Sequence, residues 1–110
     1  MSKRALPTLT HLQFLVLGIL LNEEQPGRVL RQALASYGVR RSGPAFYQLM
    51  ARMEKARWVE GWYEQITVGD QAVTERRYRI TPEGARLWTR AQGFYEDVAR
   101  LSSRVRWSDA

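Results

Sequence analysis

The chain contains no cysteine and only one histidine, and its acidic side chains are outnumbered by basic ones. Without cysteine, disulfide scaffolds, cysteine-based zinc sites and thiol catalysis are excluded. The sequence also offers His11 no acid pair, no serine-histidine-aspartate set and no glycine loop for phosphate. We therefore expect no enzyme activity, no cofactor and no metal. The lack of cysteine fits a reducing cytoplasm.

Long hydrophobic runs are also missing. The longest apolar stretch, Phe14 to Leu21, has eight residues, whereas a helix needs about 20 to cross a bilayer. A length of 110 residues, 45% of them hydrophobic and 25% charged, is that of one globular domain. The sequence predicts a soluble, cytoplasmic protein that does not enter a membrane.

Positive charge is concentrated in one third of the chain. Between Gln25 and Arg57 seven basic residues face a single acid, Glu54, and the whole chain carries a formal net charge of +6. A local basic field of this kind favours a phosphate-bearing partner. A merely basic surface stays open as an alternative, because arginine outnumbers lysine so heavily that codon bias could contribute.

Apolar periodicity predicts three helices in the first half of the chain. Thr10 and Gln13 match a capping box, so the first helix should begin there. The second should span Gly27 to Tyr37, with Gly38 as its stop. Ser42 is the expected N-cap of the third.

The second half combines a hairpin with a long helix. "WVEGWYEQITV" and "AVTERRYRI" alternate with a period of two on either side of "GDQ", which predicts a β-hairpin. Thr81 and Pro82 then begin a final helix. Its apolar residues recur at steps of four and three up to Val105, as in a dimerisation seam. The predicted dimer contacts are Leu87, Ala91, Phe94, Val98 and Leu101.

Three helices followed by a hairpin form the winged helix-turn-helix plan. The stretches "SGPAFYQLMARME" (42–54) and "RRYRITPEGARLW" (76–88) resemble the PadR-like family of bacterial transcriptional regulators. Phe46-Tyr47 matches the family's aliphatic-tyrosine position, and 78–84 matches its Tyr-x-Ile/Leu-Thr-x-x-Gly run. Two positions depart from the family: Arg28 follows Gly27 where the family often has tyrosine, and Ala56-Arg57-Trp58 stands where a glycine often follows the third helix.

The resemblance, which covers about residues 10–101, implies a mainly α fold with a small β-hairpin. We expect a flexible tail (1–9), a winged helix-turn-helix domain (10–81) and a C-terminal dimerisation helix (82–106). The implied function is that of a homodimeric repressor that binds an inverted-repeat operator in double-stranded DNA. The alternative is a winged-helix module that binds protein or RNA without operator-specific DNA binding.

Specific residues are predicted to contact DNA. Arg76 and Arg77 should lie near the hairpin tip and reach phosphates, whereas Arg79 should form a surface ion pair. For Tyr47, packing against the hairpin remains an equal alternative. The predicted DNA-binding residues are Arg40, Arg41, Ser42, Pro44, Tyr47, Gln48, Arg52, Arg76 and Arg77.

Aromatic residues of the last helix suggest a ligand. PadR-like proteins sometimes bind aromatic compounds near the dimer interface, and Trp88 and Tyr95 are the corresponding candidates for a small aromatic effector. The alternative is that Trp88 and Phe94 simply fill the core or the seam.

Overall fold

The computed structural model describes residues 6–103. In this range the elements are α1 (His11–Leu20), β1 (Gln25–Pro26), α2 (Gly27–Ser36), α3 (Gly43–Lys55), β2 (Val59–Val68), β3 (Gln71–Ile80) and α4 (Pro82–Ser103). The predicted fold class is confirmed. Val105, the last position of the predicted seam, and residues 1–5 of the predicted tail lie outside the described residues. Within that range, no helix has the length and apolarity needed to cross a membrane.

Both N-caps predicted from the sequence are present. The Thr10 hydroxyl accepts a hydrogen bond from the backbone N–H of Gln13 at 3.1 Å, and the Gln13 side chain accepts one from the Thr10 N–H at 2.9 Å. At the start of α3, the Ser42 hydroxyl accepts from the Ala45 N–H at 3.2 Å. Each cap satisfies amide groups that the first turn of a helix leaves without partners.

The C-terminal end of α3 forms a Schellman motif around an unusual residue. The N–H of Trp58 donates to the carbonyl of Met53 at 3.0 Å, and that of Arg57 donates to Glu54 at 2.9 Å. The motif requires a left-handed residue, and Arg57 supplies it with a φ of 65°. Gly38 has the same role after α2, with a φ of 83°. The glycine that PadR-like proteins often carry after α3 would therefore fit here without strain.

Replacing Arg57 with glycine should raise the free energy of unfolding by about 1 kcal/mol, because the left-handed conformation costs a non-glycine residue about that much. Chemical denaturation followed by circular dichroism measures the change. Gly38→Ala is the matched control and should lower stability by a similar amount. An Arg57→Gly variant that is less stable than the parent would show that the Arg57 side chain contributes more than its backbone costs.

The hairpin belongs to a three-stranded antiparallel sheet in the order β1-β3-β2. Strand β1, which was not predicted from the sequence, pairs Gln25 with Tyr78 and Pro26 with Arg77. Pro26 has no N–H to donate, so the pairing ends there. The turn of the hairpin is Gly69-Asp70, since Val68 pairs with Gln71. The inner half of β3 is thus the centre of the sheet, and its outer half pairs with β2 alone.

The hydrophobic core lies between the helices and the inner half of the sheet. Tyr78 is the largest fully buried side chain, and Leu9 also belongs to the core although it lies in the predicted tail. On the other side, α4 covers α1: the rings of Phe14 and Trp88 stack with centroids 5.4 Å apart. Ala91 of α4 is fully buried in the same core.

The junction between β3 and α4 explains the Thr-x-x-Gly part of the sequence pattern. The Thr81 hydroxyl donates to the Arg57 carbonyl at 2.7 Å and accepts from the Gly84 N–H at 2.9 Å. A Cβ on Gly84 would lie 2.2 Å from the Trp58 carbonyl oxygen. Threonine is therefore needed to join the two helix ends, and glycine is needed because the backbones approach too closely for any side chain.

Candidate nucleic-acid interface

The helix-turn-helix carries an open cleft lined by arginines. The cleft has a volume of about 330 Å³ and is lined by no acidic residue. The backbone link between α2 and α3 is held to α2, because Arg31 Nη2 donates to the Arg41 carbonyl at 3.0 Å. This arrangement concentrates positive charge at the N-terminal end of α3. The lining arginines are Arg28, Arg31, Arg40 and Arg41.

Two of these arginines were missed in the sequence analysis. Arg28 and Arg31 belong to α2 and were not among the predicted DNA-binding residues, although both lie in the basic run between Gln25 and Arg57. Their spacing of three residues places them on one side of the helix, which is the signal that could have identified them. Arg28 also pairs with Glu75 at 3.2 Å, but its side chain remains 66% exposed.

Helix α3 has one buried and one exposed side. Phe46, Leu49, Met50 and Met53 face the core. The predicted DNA-binding residues of α3 lie on the exposed side: Pro44, Tyr47, Gln48 and Arg52. Gln48 and Arg52 are four residues apart, so their side chains project from neighbouring turns and can reach the same groove.

Tyr47 lies between α3 and the hairpin. Its ring makes an edge contact with Phe46, at a centroid distance of 5.1 Å, and remains 44% exposed. Tyr47 also lines a groove of about 410 Å³ together with Ile66 and Val73 of the hairpin. The tyrosine therefore borders the hairpin and is accessible to a partner at the same time.

The predicted location of the hairpin arginines is wrong. Arg76 pairs with Tyr63 and Arg77 with Trp62 in the middle of the strands, not near the Gly69-Asp70 turn. The predicted turn at Gly69 to Gln71 lies at least five residues before Arg76, so this position could have been counted from the sequence.

All three hairpin arginines form ion pairs with carboxylates. Arg76 pairs with Glu54 at 2.8 Å, and Arg77 pairs with Glu75 at the same distance, with Glu24 and Glu64 each at 3.6 Å. The Arg77 side chain is only 18% exposed. The predicted surface ion pair of Arg79 is confirmed, with Glu60 at 2.7 Å. The guanidinium charges are thus neutralised by carboxylates of the same chain, which disfavours the predicted phosphate contacts of Arg76 and Arg77.

The outer half of the hairpin has the wrong charge for a phosphate contact. Residues 64–75 contain Glu64, Asp70 and Glu75 and no basic residue. This half of the hairpin therefore offers no cation to a DNA phosphate, and Glu64 and Glu75 already pair with Arg77. The positively charged surface therefore lies on α2 and α3.

The predicted dimer residues of α4 divide into two groups. Ala91 is fully buried in its own chain, so its predicted place in a dimer contact is wrong: the core shared with α1 already covers it. Leu87 packs against the same core and is partly buried. Phe94 is half-buried, whereas Val98 and Leu101 are 40% and 60% exposed. The exposed part of the stripe is its C-terminal end.

The predicted effector residues pack against α1. The Trp88 ring stacks on Phe14, and its indole N–H is buried with no acceptor among the described residues. The Tyr95 hydroxyl lies 3.0 Å from His11 Nδ1. The two aromatic side chains are thus neighbours at the same helix pair, joined through Phe14.

Solved structures of PadR-like regulators share this fold. A PadR family transcriptional regulator from Eggerthella lenta matches with a TM-score of 0.63 and 26% identity, over 84% of this chain and 79% of that one. A PadR-like regulator from Bacillus cereus matches with a TM-score of 0.66 and 23% identity, over 86% and 93%. Bacillus subtilis PadR in complex with operator DNA matches with a TM-score of 0.59 and 15% identity, over 89% and 62%.

At the level of sequence alone, no family model and no curated protein matches the chain. The arrangement of the described helices and strands is nevertheless the one found in these regulators. The predicted resemblance is thereby confirmed: the chain has the winged-helix fold of these PadR-like regulators.

Proposed function

We propose that the protein is a transcriptional repressor that binds an inverted-repeat operator in double-stranded DNA as a homodimer. The observation that carries this proposal is the arginine cleft at the N-terminal end of α3, which no acidic residue lines. The structural likeness to Bacillus subtilis PadR in complex with operator DNA supports it.

The exposed residues suggest a division of tasks on this surface. Arg28, Arg31, Arg40 and Arg41 are suited to backbone phosphates, which the guanidinium group binds with paired hydrogen bonds. Gln48 and Arg52 present forked donors on the outward side of α3 and are suited to base edges in the major groove. Ser42 and Pro44 begin α3 beside the cleft and would approach the backbone there.

Selection of binding sites from random duplex DNA by the purified protein tests this function. The expected result is a two-fold symmetric sequence whose affinity falls steeply with salt, because bound phosphates release counterions. Equal affinity for all duplexes, or a preference for RNA, would instead favour the winged-helix module that binds protein or RNA.

The proposed dimer is formed through the exposed end of α4. Replacing both Val98 and Leu101 with glutamate should convert the dimer to a folded monomer, because the substitutions place like charges in an apolar contact. Sedimentation velocity measures the change. Thr89→Glu is the control, since Thr89 is exposed on the opposite side of α4. A double variant that remains dimeric would place the contact elsewhere.

A small aromatic effector is proposed at Trp88 and Tyr95. The observation that favours it is the buried indole N–H of Trp88, which has no acceptor in the described part of the chain. An unpaired buried donor is costly, and a ligand acceptor would satisfy it. Titration of planar aromatic compounds with tryptophan emission as the readout tests this, and binding must weaken operator affinity by the same factor by which DNA weakens ligand affinity.

A further inference from the structure

Arg76 joins the hairpin to α3 through a compact cluster of side chains. Its Nη2 donates to Glu54 Oε1 at 2.8 Å. The guanidinium carbon lies 4.6 Å from the centroid of the Tyr63 ring and 5.5 Å from that of Tyr78. Both distances allow an attraction between the cation and the ring face. Arg76 is therefore held by one carboxylate and two aromatic rings.

The cluster leaves no room for an additional atom. Gly61 lies opposite Tyr78 on β2. A Cβ at Gly61 would lie 2.7 Å from both Arg76 Nη2 and Glu54 Oε1, and 2.9 Å from Tyr78. A strand interior disfavours glycine, so this glycine is explained by the approach of the ion pair to the strand.

The electrostatics of the cluster keep Arg76 charged and Tyr78 neutral. Burial lowers the pKa of Arg76, but contacts with Tyr78 and Glu54 outweigh it, so that pKa lies above its ordinary value. Burial also raises the pKa of Tyr78, which keeps the phenol neutral. The Arg76 and Glu54 side chains are only 22% and 26% exposed, so solvent screens their attraction less than that of a surface pair.

No other ion pair within residues 6–103 connects α3 with the hairpin. Arg79 and Glu60 pair across β2 and β3, and Arg77 pairs with Glu24, Glu64 and Glu75. Arg28 of α2 pairs with Glu75 of β3, and none of these pairs includes a residue of α3. The orientation of the hairpin relative to α3 therefore depends on Arg76 and Glu54 more than on any other charged contact.

We propose that Arg76 is a positioning residue that, with Glu54, fixes the hairpin against α3 and so sets where the hairpin lies beside the positively charged surface of α2 and α3. The consequence of this positioning for DNA binding rests on the proposed function. Arg76 itself makes no phosphate contact, because its charge is used within the protein.

The position of the hairpin can be measured without DNA. Because the chain has no cysteine, spin labels can be attached only at two introduced sites, Ala51→Cys on α3 and Asp70→Cys at the hairpin turn. Dilution with unlabelled chain removes distances between copies. The parent should give one narrow distance distribution. Glu54→Gln and Arg76→Gln should each broaden or shift it, whereas the control Glu60→Gln, which breaks the pair with Arg79, should leave it unchanged.

Operator affinity gives a second readout, because loss of a negative charge and loss of positioning should change it in opposite directions. Glu54→Gln removes a negative charge close to DNA, so the field alone would strengthen binding. Loss of positioning should weaken it instead by about tenfold, a coupling of the size found between contacting residues. Arg76→Gln should weaken it by the same factor, the double variant no further, and the salt slope should stay constant. A lost phosphate contact would lower that slope by about 0.9.

Two results would overturn the proposal. One is a distance distribution that Glu54→Gln and Arg76→Gln both leave unchanged; the other is an Arg76→Gln variant with a reduced salt slope beside a Glu54→Gln variant that binds more tightly. Glu54→Gln keeps the shape of the side chain, so this variant alone can still decide the proposal if Arg76→Gln does not fold. If the parent itself binds no operator, the proposed function fails, and the distances still decide the role of Arg76.

Discussion

Replacing Gly84 with alanine is expected to lower the free energy of unfolding by roughly 3 kcal/mol, the upper end of the cost of added atoms in a packed site. The new Cβ would lie 2.2 Å from the Trp58 carbonyl oxygen, so α4 would have to move away from the end of α3. That movement would also break the hydrogen bonds of Thr81 to both sides of the junction. Chemical denaturation at fixed protein concentration measures the loss.

Gly93→Ala in the same helix is the matched control for Gly84→Ala. No atom lies within 4 Å of a Cβ built at Gly93, so alanine should stabilise α4 by about 1 kcal/mol through its higher helix propensity. If the same substitution lowers the free energy of unfolding at Gly84 and raises it at Gly93, the loss at Gly84 is due to its close approach to Trp58. A loss at Gly93 would indicate that a second copy approaches α4 at that point.

Neutralising the cleft with Arg40→Gln and Arg41→Gln together should weaken operator binding roughly a hundredfold, about tenfold for each lost charged contact. The salt slope should fall by about 2, because each phosphate contact contributes about 0.9. Fluorescence anisotropy with labelled duplexes at several salt concentrations measures both quantities. Arg86→Gln on the exposed side of α4 is the control and should change neither.

Gln48→Ala should separate base reading from phosphate contact on the same surface. It should cost roughly 1–3 kcal/mol on the preferred operator and relax the preference at one or two base pairs, while the salt slope stays constant. If the cleft variants retain full affinity and slope, the basic surface does not hold DNA, and the protein-binding alternative gains support.

Local features were predictable from the sequence because their partners are close in the chain. The capping box at Thr10 involves a residue three positions away, and the N-cap at Ser42 works over the same distance. The hairpin follows from its alternation, and the turn follows from Gly69. Each of these features depends on a few adjacent residues, which is the range over which sequence patterns carry information.

The roles of the hairpin arginines were not predictable in this way. Arg76 pairs with Glu54, which is 22 positions earlier in the sequence. Arg77 pairs with Glu24, which lies in the first third of the chain. A run of arginines on a strand looks the same whether it faces phosphate or carboxylates. Only the tertiary structure distinguishes the two, because Glu54 lies on α3 and Glu24 directly precedes the unexpected β1.

The apolar stripe of α4 was ambiguous for a different reason. A heptad repeat indicates that one side of a helix is covered, but it does not indicate which chain covers that side. The buried Ala91 and the partly buried Leu87 are covered by the core of their own chain, whereas Val98 and Leu101 remain exposed. One periodic pattern therefore runs from a stretch that its own chain covers into a stretch that the proposed dimer would cover.

The contact between α1 and α4 constrains the order in which the domain can fold. The hydrogen bond between Tyr95 and His11 spans 84 positions, so its formation closes a loop that contains nearly all other elements. Closing a longer loop costs more entropy, and contacts distant in sequence slow folding. During synthesis, a nascent chain that has reached only β3 leaves Phe14 without Trp88. Until α4 leaves the ribosome, that side of α1 is an uncovered surface that chaperones can bind.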